Sequence, residues 1–116
     1  MYIKYNDAFN GASLGTHLGY GASFKSIPHF PHGLYGIIVS HNAIIGENVT
    51  IFHHVTIGEK DGAPIIGDNV LIGTGAIILG NIIIGDNVKI GAGCIVTKNI
   101  PDNATVVMEA PRVILR

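Results

Sequence analysis

Tryptophan is absent from the 116 residues, cysteine occurs once, aromatic side chains make up 7% and charged ones 13%. These scarcities exclude several classes of protein. Seven lysines and arginines against eight aspartates and glutamates leave a formal charge of −1, so there is no basic field to attract nucleic acid. No apolar run approaches the roughly 18 residues of a membrane span, and the polar start MYIKYNDAF lacks the apolar region of a signal peptide. No membrane partner is therefore expected, and the chain reads as cytoplasmic. A single cysteine fits that compartment.

What is present is a period. From Val39 an aliphatic residue returns every six positions, at Val39, Ile45, Ile51 and Ile57, then at Ile66, Ile72, Ile78, Ile84, Ile90 and Val96. In an α-helix a step of six advances the side chain by about 600°, which scatters these residues over three faces and builds no apolar stripe. A helix is excluded. On an extended chain, positions i, i+4 and i+6 share parity and point to one side. The i+4 position is also apolar, at Ala43, Val49, Val55, Val70, Ala76, Ile82, Val88, Cys94, Ile100 and Val106. Cys94 thus reads as a packed core thiol rather than a nucleophile.

Three residues after each aliphatic stand Asn42, Asn48, His54, Lys60, Asn69, Gly75, Asn81, Asn87, Gly93 and Asn99. Glycine and asparagine reach positive φ at least cost, so eight such residues of ten predict a repeated left-handed corner. Glycine also follows the aliphatic where the coil needs room, at Gly46, Gly58, Gly67, Gly73, Gly85 and Gly91. Short strands, regular corners and a fixed period predict an all-β parallel β-helix of hexapeptide repeats, with three hexads to each triangular coil. Ladders such as Ile57, Ile78 and Val96 would fill its core, and a prism this narrow has little room for aromatic rings.

The whole chain reads as one β-helix domain. Residues 1–36 hold the period poorly and form an irregular cap or a degenerate first coil, with IPHFPHGLYG as a loop into the first clean hexad. Hexapeptide coils run over 37–106. The spacing from Ile57 to Ile66 is nine, so a small loop at 58–64 leaves one corner. Residues 107–116 form a tail.

Few residues here could carry chemistry. All six histidines, His17, His29, His32, His41, His53 and His54, lie in the first half, while the later coils present glycine and alanine at their corners, with Lys89 and Lys98. This division suggests an acid/base region at one end and a smooth groove along the coils. Zinc held through three histidines is the alternative chemistry, since His17 and His53 have a suitable separation. A third close histidine is missing, because Gly58 stands five residues after His53, and no metal is expected.

The stretches FPHGLYGIIVSHNAIIGENVTIFHHVTIG and GAPIIGDNVLIGTGAIILGNIIIGDNVKIGAGCIVTKNIPDN resemble the hexapeptide-repeat acyltransferases, most closely their serine O-acetyltransferase-like branch. The resemblance covers roughly residues 15–106. It implies a homotrimer of left-handed β-helices that transfers acetyl from acetyl-CoA to a hydroxyl, with each site between two subunits. His32 falls on the family's general base, a group the chemistry needs because an alcohol is a poor nucleophile until its proton is taken. Thr74, Gly75, Ala92 and Gly93 match positions that line the pantetheine arm. Gly58 begins the loop beside them, and Lys98 is a candidate partner for CoA phosphates.

The departures from the family pattern shape the expected substrate. Pro31 stands where serine acetyltransferases have aspartate before the base, and Gly62 and Ala63 replace an Arg-His pair in the loop. His53 and His54, where relatives often carry glutamine or serine, would compensate as further catalytic residues. Three functions follow as expectations: an O-acetyltransferase acting on serine or a similar amino alcohol, the same chemistry on a sugar hydroxyl or amine, or a non-catalytic β-helix trimer.

Overall fold

The computed structural model describes residues 22–116, together with the strand positions Asn6–Asp7 and Ala12–Ser13. Residues 1–5, 8–11 and 14–21 lie outside that description, and with them His17. The described chain is all-β, a parallel β-helix whose short strands stack on three faces.

The first face is formed by Asn6–Asp7, Ala12–Ser13, Ile38–Val39, Thr56–Gly58, Ile77–Leu79 and Ile95–Val96. Ser23–Phe24, Ile44–Ile45, Ile65–Ile66 and Ile83–Ile84 form the second, and Thr50–Ile51, Leu71–Ile72, Lys89–Ile90 and Thr105–Val106 the third. All pairs are parallel except the first, Asn6–Asp7 with Ala12–Ser13. The coil register also extends upstream of Val39, since Phe24 pairs with Ile45 and His29 bridges to Thr50.

In-register stacking puts like on like. Val39, Ile57, Ile78 and Val96 form one inward ladder, and Ile51, Ile72 and Ile90 another. Every inward aliphatic predicted at the i position is buried, from Val39 to Val96. No buried polar or charged residue interrupts this core among the described residues. The backbone is satisfied between coils rather than along the strand, as when the Thr50 N–H donates to the Val70 carbonyl at 2.9 Å and the Ile77 N–H to Cys94 at 2.8 Å. Burying an isoleucine side chain contributes about 1.5–3 kcal/mol, so a ladder of them supplies a core that a thin prism otherwise lacks.

The left-handed corner holds at two of the three corners. Between the second and third faces, Asn48, Asn69, Asn87 and Asn103 have φ of 56 to 64°, and between the third and first, His54, Gly75 and Gly93 have φ of 59, 72 and 73°. At the corner between the first and second faces, Gly80 takes the positive φ instead of Asn81, and Asp61 and Gly62 take it instead of Lys60. Asn42 and Asn99 are engaged otherwise: Asn42 donates from Nδ2 to Glu59, and the Asn99 Oδ1 accepts the Ile83 N–H at 2.9 Å. The last coil is also two residues shorter than a three-hexad coil. Ile100 bridges to Ile84 and Val106 pairs with Ile90, so these two stand at i positions rather than the i+4 positions expected.

The glycines after the aliphatics have a specific cause on the second corner. A Cβ on Gly46, Gly67 or Gly85 would collide with the carboxylate of Asp68, Asp86 or Asp102 in the following coil. Those carboxylates tie the coils together. Asp68 Oδ1 accepts the Glu47 N–H at 2.8 Å, while Asp86 and Asp102 accept the N–H of Asp68 and Asp86 at 2.7 Å each.

Candidate functional site

The corner between the third and first faces carries the chemistry. Successive coils place Tyr35 and Gly36, then His53 and His54, then Thr74 and Gly75, then Ala92 and Gly93 along one edge. The backbone links them in that order: His54 N–H donates to the Tyr35 carbonyl at 2.8 Å, Gly75 N–H to His53 at 3.1 Å and Gly93 N–H to Thr74 at 2.8 Å. The last three pairs come together because each stands two and three positions after an inward isoleucine of the third face, Ile51, Ile72 or Ile90, while the turn over residues 31–36 brings Tyr35 and Gly36 to the same edge. In-register stacking then aligns the pairs.

His54 is the one histidine among the described residues with positive φ, a conformation that asparagine or glycine takes more readily. Its ring lies against Gly36, where any Cβ would collide with it, and Gly36 itself has φ of 64°. Retaining an imidazole at a strained corner points to a use for the ring.

His32 lies on the turn over residues 31–36, which the Gly33 N–H closes by donating to Phe30 at 3.0 Å. That turn brings its ring within 5.3 Å of the His53 ring, the two planes at 89°, and within 5.7 Å of Phe52. His53 in turn meets His54 at 5.4 Å and 67°. Three imidazoles predicted as catalytic from separate parts of the sequence are thus one cluster. His32 and His54 are exposed and His53 is half-buried. Nδ1 of His53 is buried and has no hydrogen-bond partner among the described residues. A buried polar atom without a partner costs about 1–3 kcal/mol, and in native proteins such atoms are few and call for a cause.

Above the histidines the corner is open. A Cβ at Gly75 would meet nothing within 4 Å, and Thr74, Ala92 and Gly93 add only small side chains. At the far end Met108 comes within 3.4 Å of where a Gly93 Cβ would be. An edge with an imidazole cluster at its foot and a smooth run above it has room for a long, narrow ligand. Among the described residues no group of three histidine, cysteine, aspartate or glutamate side chains is arranged as a metal site.

Gly58 and Lys98 do not share this edge. Gly58 ends the first-face strand Thr56–Gly58 and Lys98 follows Ile95–Val96, so both lead to the corner between the first and second faces, where Gly58 packs below Leu79 and Lys98 is exposed. That corner holds a second polar group the sequence did not reveal. Glu59 accepts from Asn42 Nδ2 at 2.6 Å and from Ser40 Oγ at 3.0 Å, and these hydrogen bonds hold its carboxyl below the usual carboxylate value. Tyr35 and Phe52, which flank the histidines, were likewise missed. The one available signal was the placement of Tyr35 between Gly33 and Gly36, a turn that exposes whatever it carries.

Residues 63–98 match the family model for the bacterial transferase hexapeptide (six repeats). A probable serine acetyltransferase of Oryza sativa subsp. japonica is 46% identical over 84 residues, covering 68% of this chain and 28% of that protein. The putative colanic acid biosynthesis acetyltransferase WcaB of Escherichia coli (strain K12) is 44% identical over 117 residues, covering 97% of this chain and 69% of that one. Among solved structures, serine acetyltransferase isoform 3 of Entamoeba histolytica, in complex with cysteine, has a TM-score of 0.74 at 40% identity, over 83% of this chain and 36% of that chain. The chain therefore belongs to the hexapeptide-repeat acyltransferases, in their serine O-acetyltransferase-like branch. It spans about a quarter of the length of the curated serine acetyltransferases it matches.

Proposed function

We propose that the chain transfers an acetyl group from acetyl-CoA to a hydroxyl, with His32 as general base and a sugar as acceptor. The observation that carries this reading is the His32, His53 and His54 cluster at the foot of the open Thr74–Gly93 corner. His32 removes the hydroxyl proton as the oxygen attacks the thioester carbonyl, and returns it to the sulfur as the C–S bond breaks. Small side chains at Thr74, Gly75, Ala92 and Gly93 leave the corner free for the pantetheine arm. A corner N–H stabilises the oxyanion. His53 packs edge-on against His32 and fixes its plane. The site operates between subunits of a homotrimer in the cytoplasm.

The sugar acceptor is supported by the match to WcaB over 97% of this chain and by Pro31, Gly62 and Ala63, which replace the aspartate and the Arg-His pair of the serine enzymes. Serine is the second reading, favoured by the 40% identity to a serine acetyltransferase of known structure. Acetyl-CoA turnover followed by thiol release, with L-serine and simple glycosides as competing acceptors, tests both. Release with glycosides and not with serine is expected. Absence of release with either, together with no thermal stabilisation by CoA, would sink the transfer reading.

A further inference from the structure

Tyr35 stands out among the aromatic residues. The other described aromatics, Phe24, Phe30 and Phe52, are buried or half-buried, yet Tyr35 is 56% exposed. Nor is it on a loose segment. Gly33 and Gly36 flank it at φ of 75 and 64°, and its carbonyl accepts the His54 N–H at 2.8 Å. Its ring lies over Gly33, with Cδ2 and Cε2 3.8 Å from where a Gly33 Cβ would be. Gly33 is the next residue after His32 and the Tyr35 carbonyl is bonded to His54, so an exposed flat ring sits on the turn that carries His32, on the same edge as the imidazole cluster.

A pyranose presents axial C–H groups on its face and hydroxyls around its rim, and such a face suits a flat aromatic ring. L-serine has no such face. We infer that Tyr35 determines acceptor specificity: the acceptor's pyranose lies on its ring and turns a rim hydroxyl toward His32. Ligand sites commonly combine an aromatic wall with a few fixed polar groups, and here the wall is Tyr35 and the polar groups are His32 and His53. The inference rests on the transfer reading above.

The test uses the full chain and its Tyr35→Phe and Tyr35→Ala variants. Saturation-transfer NMR is run with the methyl glycosides of galactose, glucose and fucose and with L-serine, alongside kinetics with acetyl-CoA. The wild type should saturate the ring protons of at least one glycoside, Tyr35→Phe should keep that signal, and Tyr35→Ala should lose it. In Tyr35→Ala the KM for that glycoside should rise roughly tenfold while the KM for acetyl-CoA stays put. No saturation of any of the three by the wild type, or equal saturation by wild type and Tyr35→Ala, overturns the inference. So does a smaller oligomer for Tyr35→Ala by light scattering, which would reassign the ring to a subunit contact. A wild type that binds glycoside through Tyr35 without releasing thiol keeps the platform and sinks the transfer reading. One that acetylates L-serine alone does the reverse.

Discussion

His53 meets His32 edge to face, with ring centroids 5.3 Å apart and planes at 89°, while its own Nδ1 is buried without a partner among the described residues. One imidazole is thus braced by another that has an unmet hydrogen-bond requirement. A buried polar atom without a partner costs the fold about 1–3 kcal/mol.

His32→Ala should fold and assemble as the wild type does, because the side chain is exposed on a turn. Turnover should fall by about 10²–10⁴, as expected for loss of a general base, with CoA binding retained. Steady-state kinetics beside a CoA thermal-shift titration measure the two effects. Unchanged turnover would move the role to His53 or His54.

His53→Leu separates function from stability. Removing the unpartnered Nδ1 should leave the melting temperature unchanged or raise it, since no hydrogen bond to that atom is lost among the described residues. Activity should nonetheless drop. A marked fall in melting temperature would show that Nδ1 has a structural partner.

Gly67→Ala and Ile72→Asp probe the coil. At Gly67 a Cβ would meet the Asp86 carboxylate and the Gly85 backbone, with its carbonyl carbon and oxygen each at 2.8 Å, so neighbouring coils must separate. Overpacking of this kind costs about 1–3 kcal/mol, readable in urea unfolding. Ile72 is fully buried in the third-face ladder, and Ile72→Asp, which buries an unpaired carboxylate, should prevent folding, whereas Ile72→Ala should cost about 2–5 kcal/mol. A folded Ile72→Asp would refute the inward assignment.

Glu59 predicts a pH effect. Its carboxyl titrates below its ordinary value of 4.5, chiefly through the Asn42 hydrogen bond and then that of Ser40. A depressed folded value means that the contribution of this group is present above pH 4.5 and is lost only as pH falls through the lower, folded value. In Asn42→Ala the Glu59 carboxyl titration, followed by carbon NMR, should move up toward 4.5. No movement would mean that the hydrogen bond is not maintained in solution.

Much of the fold was legible because the period is a local property. Alternation along an extended strand puts Ile45, Ile51 and Ile57 on one side, and the sterics of positive φ select asparagine and glycine for corners, whatever lies elsewhere in the chain. The candidacy of His32, His53 and His54 was likewise readable from residue type and motif.

Which residues meet is a matter of coil length, and that belongs to the tertiary structure. Three additional residues between Ile57 and Ile66 and two fewer in the last coil set the register by which each corner stacks on the next. Stacking joined His53, Thr74 and Ala92 along one edge and sent Gly58 and Lys98 to another, although all five are corner or near-corner residues in sequence. It also gathered Ser40, Asn42 and Glu59, and the turn before Ile37 folded His32 and Tyr35 back onto that first edge. Sequence by itself determined the inward faces, the turning residues and the kind of chemistry available. The stacked coils decided the site, because hydrogen bonds between residues about 19 to 22 positions apart place its parts, and no local preference encodes them.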